Sequence, residues 1–167
     1  MKRWGFIAVL ALGLVMAATQ FALADLVNSP DQVINLHGKT DSDGIVASFN
    51  LVQPDGSGEV PFTFPENKIL MVTRVEARCI IPGKGATLYR LRIFPSNNTE
   101  KPFFTFGVQT IYDSKSKNTF GGIQGENINP GVPMGTAFTA KLYDFEEKNV
   151  VPAFLRVRLI GYLVDAP

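Results

Sequence analysis

The chain has 167 residues, 46% of them hydrophobic and 19% charged, with 16 Lys+Arg against 15 Asp+Glu. So near-neutral a chain gives no whole-protein argument for nucleic-acid binding. One cysteine, Cys79, excludes an internal disulfide, and one histidine, His37, excludes a histidine-rich metal centre.

Lys2 and Arg3 open a short positive region, and an apolar run follows from Phe6 to Ala18. Ala22-Leu23-Ala24 supplies the small residues a signal peptidase reads, so residues 1–24 are expected to be a cleaved signal peptide. The run is short for a membrane span of about 20 residues, which sets it against the alternative of an uncleaved anchor. No cysteine marks a lipoprotein signal, and no second arginine marks the twin-arginine route. Cleavage removes two basic residues and no acidic one, leaving one negative charge and no stable membrane span. Residues 25–167 are expected to form one exported domain, periplasmic or extracellular.

Asp25–Thr40 reads as a loose lead-in or an edge strand, with Val33, Ile34 and Leu36 apolar. Asp41-Ser42-Asp43-Gly44 predicts a turn. Its faint likeness to a calcium loop fails on spacing, because Gly44 at the sixth position would put Lys39 first and Asn50 last. Ala47, Phe49 and Leu51 predict a half-buried strand by alternation. Pro54-Asp55-Gly56-Ser57-Gly58 then turns the chain into a second strand carrying Val60, Phe62 and Phe64. Pro61 removes a backbone donor and sends that strand to a sheet edge.

Lys68–Ile81 is the longest strand pattern. Ile69, Met71, Thr73, Val75, Ala77, Cys79 and Ile81 are expected on one face. Leu70, Val72, Arg74, Glu76 and Arg78 alternate onto the other. Cys79 therefore reads as a buried small hydrophobe rather than a reactive thiol. After Pro82–Gly85, Tyr89, Leu91 and Ile93 point inward on the next strand. Phe104, Phe106 and Val108 do so on the strand ending near Tyr112. Asp113–Asn118 is a loop, and Thr119–Asn129 reads as a short strand or a long connection. Pro130–Gly135 is dense in turn residues. Phe138, Ala140 and Leu142 form the inner face of a further strand, Asp144–Asn149 a loop, and Pro152–Val164 the last strand. No helical period appears, and strands recur between Gly/Pro turns. The fold class is all-β, an antiparallel β-sandwich of jelly-roll type. Of thirteen Phe, Phe6 and Phe21 lie in the leader and the other eleven supply core area.

Pro65-Glu66-Asn67-Lys68-Ile69-Leu70 opens the long strand, and Gly161-Tyr162-Leu163-Val164 closes the chain. Together they resemble a group of small exported bacterial proteins of unknown function, each with a signal peptide before an all-β domain. The resemblance covers Val60 to Pro167. It implies a single exported all-β domain and brings no activity, cofactor or site residue.

Catalytic motifs are sparse. A Ser-His-Asp site would depend on His37, and no Gly-x-Ser-x-Gly elbow is present. Glu76 is the best-placed strand carboxylate, but Arg74 and Arg78 share its face. Nearby cations lower a carboxylate pKa, whereas a general acid needs it raised. No motif calls for a metal or another cofactor. After the leader, all six arginines lie on predicted strands: Arg74, Arg78, Arg90, Arg92, Arg156 and Arg158. Were those strands neighbours, the arginines would make an anion-binding face for an anionic glycan, a lipid head group or a partner's carboxylates. The alternative is a solvated outer face with paired charges. The favoured function is a non-catalytic binding or assembly module, with self-association open to it. The alternative is a carboxylate-dependent hydrolase acting on glycans, which needs two convergent acids in a pocket.

Overall fold

The computed structural model describes residues 33–95, 101–134 and 138–165, and over 129–134 only the backbone. The expected signal peptide lies outside the described residues. Among the described residues no helix is long and apolar enough to cross a membrane.

Among the described residues ten strands form one antiparallel sheet: β1 (Val33–Thr40), β2 (Ile45–Val46), β3 (Asn50–Val52), β4 (Glu59–Pro61), β5 (Lys68–Pro82), β6 (Leu88–Pro95), β7 (Phe104–Asp113), β8 (Asn118–Met134), β9 (Phe138–Tyr143) and β10 (Phe154–Asp165). Their order is β2-β9-β6-β7-β8-β5-β10-β1-β3-β4. The all-β class and the antiparallel pairing are as the alternation implies. The sheet is curled, because Ala47–Phe49 join its two ends. Just before that link, β2 pairs with β9 at one edge. Just after it, β3 pairs with β1 near the other. Gly38 on β1 makes the closure possible, since a Cβ there would stand 2.3 Å from Val46 and 2.8 Å from the Phe49 ring. Phe49 in turn packs on Phe138, ring centroids 4.8 Å apart.

The core fills the concave side. Leu36, Leu70, Val72, Val75, Leu91, Ile93, Leu142, Leu155, Val157 and Leu159 are almost wholly buried. Each such side chain contributes about 1.5–3 kcal/mol of transfer free energy, which suits a chain without a disulfide. Cys79 is buried in this core, 3% exposed.

Four expectations need correction. β1 is an interior strand, paired with β10 on one side and β3 on the other. Of the strand expected at Ala47–Leu51 only Asn50 and Leu51 belong to a strand, β3, because Ala47–Phe49 are the crossing between the sheet's ends. Asn118–Met134 is one long strand against β5, where a short strand or a long connection was expected and then a turn-dense segment. Residues Asn127 to Val132 span the step from Arg74 to Val72 on β5, so a pairing irregularity absorbs this turn-rich segment.

The fourth correction concerns the face of β5. Leu70 and Val72 point inward, then Val75, Ala77, Cys79 and Ile81. The alternation shifts at Thr73, which has no partner on β10: Ile160 pairs with Arg74 and Gly161 with Val72. This is a β-bulge, and the extra residue flips every side chain beyond it. The Thr73 hydroxyl donates to the Ile160 carbonyl at 3.2 Å. Gly161 admits the bulge, because a Cβ there would lie 2.0 Å from the Met71 carbonyl oxygen. The bulge thus keeps both halves of β5 facing the core and turns Arg74, Glu76 and Arg78 outward.

Candidate functional site

The convex side of β1, β10 and β5 carries the charges. Register places Lys39 opposite Arg156 and Arg156 opposite Arg78. The next position on the same side sets His37 opposite Arg158 and Arg158 opposite Glu76. Directly opposed residues have Cβ atoms about 4.5–5.5 Å apart. Lys39, Arg156 and Arg78 therefore form a row of cations spanning about 10 Å, two strand spacings.

The two rows differ in their partners. Glu76 receives Arg74 at 2.9 Å and Arg158 at 3.7 Å. Arg158 also donates through Nε to the Asn35 side-chain oxygen at 2.8 Å. His37 Nδ1 donates to Glu59 at 2.5 Å, tying β1 to β4, and this hydrogen bond holds the Glu59 carboxyl below its ordinary value. Lys39, Arg78 and Arg156 are exposed, and among the described residues none of the ion pairs includes them. A groove of about 330 Å³ runs along these rows, lined by His37, Val52, Glu76, Arg78, Arg156 and Arg158.

Of the six arginines singled out in the sequence, the structure brings four together. Arg74, Arg78, Arg156 and Arg158 share one patch on adjacent strands. Arg90 and Arg92 lie on β6, separated from β5 by β7 and β8. Both pair with Glu147, Arg90 at 2.6 Å. Arg90 also lies over the Phe145 ring and Arg92 over Tyr143. These two are fixed by their own carboxylate and rings.

Lys39 was missed in the sequence, because nothing in it gives the register of β1 on β10. Among the described residues Glu76 is the one carboxylate lining the groove, and two guanidiniums hold it. That arrangement commits both carboxylate oxygens to ion pairs with Arg74 and Arg158. Asp43 accepts from the Thr40 hydroxyl at 2.5 Å and the Ile45 amide at 2.9 Å. Its carboxylate is thus spent on a turn, and these bonds lower its pKa, the Thr40 hydroxyl first. Comparison with known proteins finds no family model and no curated protein that matches the chain.

Proposed function

We propose that this chain is an exported, non-catalytic binding or assembly module, a sandwich of jelly-roll type, that engages an anionic partner through Lys39, Arg156 and Arg78. The observation that carries this reading is the row itself. Like charges directly opposite one another destabilise a sheet, and among the described residues no carboxylate forms an ion pair with any of the three, Glu59 feeling the Lys39 charge only beyond ion-pair distance. The Arg78 and Arg156 guanidiniums keep the forked donors that match carboxylate, sulfate and phosphate oxygens, and Lys39 adds an ammonium charge. The leader-like residues 1–24 support export, and the resemblance at Pro65–Leu70 and Gly161–Val164 supports a bacterial surface or periplasmic setting.

Dextran sulfate and uncharged dextran on beads test the reading. Wild-type protein should be retained by the first and not the second, with retention falling as salt rises. Arg78→Gln with Arg156→Gln should abolish retention, and Lys148→Gln, which removes a cation paired elsewhere with Glu146, should leave it unchanged. Equal retention of the double variant would overturn the proposal.

A further inference from the structure

Two residues along the strands from the cation row lies a second row of another kind. Phe154 on β10 faces Ile80 on β5, Ile80 faces Phe120 on β8, and Phe120 faces Ile111 on β7. All four point outward, with exposures of 47%, 36%, 39% and 79% respectively. Four adjacent strands thus present one continuous apolar ribbon, about 14 Å long at ordinary strand spacing. Scattered exposed apolar residues are common on any protein. Four in register across four strands are not scattered.

Cations border the ribbon on both sides. Arg78 and Arg156 stand two residues away, about 7 Å along the strands. Beyond the other side come the β5–β6 and β7–β8 turns, which carry exposed Lys84, Lys115 and Lys117. The two turns are joined by the Gly83 amide donating to the Lys117 carbonyl at 3.0 Å. The one carboxylate in the β7–β8 turn, Asp113, accepts from the Lys115 amide and from Ser116.

We infer that the ribbon and its cationic borders dock on the surface of an anionic lipid bilayer. The four side chains reach the acyl boundary and the cations meet head-group phosphates. This rests on the anion-binding reading above and names its partner. Charge selects the occupant. A second copy laid face to face would set cation row against cation row or against the lysine turns. Size selects it too. The ribbon exposes on the order of 400 Å², about half of what each partner buries in a standard protein interface. Interfacial anchoring on lipid needs only a few inserted apolar side chains with adjacent Lys and Arg.

The test is flotation with unilamellar vesicles, using protein expressed with its own leader so that any processing has occurred. Vesicles are phosphatidylcholine alone, or phosphatidylcholine with phosphatidylglycerol at about 3:1. Wild-type protein should float with the anionic vesicles only. Ile111→Ser with Phe120→Ser should weaken vesicle binding by about tenfold while leaving dextran sulfate retention intact, and Phe154→Ser should act in the same direction. Retention on dextran sulfate without flotation would overturn the lipid inference and spare the anion site. Loss of both in the wild type would overturn both. Wild-type flotation by the Ile111/Phe120 variant would also overturn the inference. So would a dimer in sedimentation velocity that this variant dissociates, because a second copy would then cover the ribbon.

Discussion

Arg78 and Arg156 face each other directly across the β5–β10 ladder, with no carboxylate of the described residues paired to either. Opposed like charges cost about 0.2–1 kcal/mol relative to a neutral pair. Arg156→Gln is therefore expected to stabilise the protein by up to ~1 kcal/mol in urea denaturation while weakening polyanion retention. Salt should raise the stability of the wild type and leave the variant less affected, since screening relieves the same repulsion. Stability lost together with binding would mean that the pair is structural.

The bulge at Thr73 sets which side chains of β5 face out, so its parts have unequal costs. Gly161→Ala would force a Cβ to 2.0 Å from the Met71 carbonyl oxygen. Backbone cannot yield there without breaking the ladder, and the loss should be at least ~2 kcal/mol. Thr73→Val removes only the hydroxyl that reaches Ile160, with a loss of about 1 kcal/mol. Urea denaturation orders the two, and an innocuous Gly161→Ala would contradict the bulge.

Burial pushes the Cys79 thiol up to about 11. The nucleophile is the thiolate, so at pH 8 native protein should leave an aromatic disulfide reagent unreacted. One thiol per chain should appear on unfolding. Rapid reaction of the native protein would show that Cys79 is accessible.

Glu59 carries an acid-side pH dependence. Its folded pKa is depressed below the ordinary 4.5, first by the His37 hydrogen bond. A depressed carboxylate contributes stability that is fully present above its unfolded pKa and is lost as pH falls through the folded value. Melting temperature should therefore fall below about pH 4.5, and Glu59→Gln should flatten that part of the profile. Unchanged slopes in the variant would remove Glu59 from this role.

How much of this was legible in the sequence follows from what alternation records. It records burial within one regular strand, so Tyr89, Leu91 and Ile93 were placed correctly, as were Phe138, Ala140 and Leu142. The Pro54–Gly58 hairpin and the edge position of Pro61 were legible in turn chemistry. Alternation does not record a bulge, so by itself it sets Leu70 and Val72 on the outer face, and the bulge shared by Thr73 and Gly161 is what turns them inward. Nor does it record register between distant strands. That is why Arg90 and Arg92 could be grouped with Arg156, and why Lys39 and the Phe154–Ile80–Phe120–Ile111 ribbon went unnoticed. Each member of that ribbon looks unremarked in its own strand, and only the pairing of four strands lines them up.

The most direct measurement of the central claim is backbone amide mapping by heteronuclear NMR during titration with a short sulfated dextran. The account predicts saturable shifts centred on Lys39, Arg78 and Arg156, fading with salt and absent from Arg90 and Arg92. Shifts centred on Arg90 and Arg92, or no shifts at low salt, would contradict it.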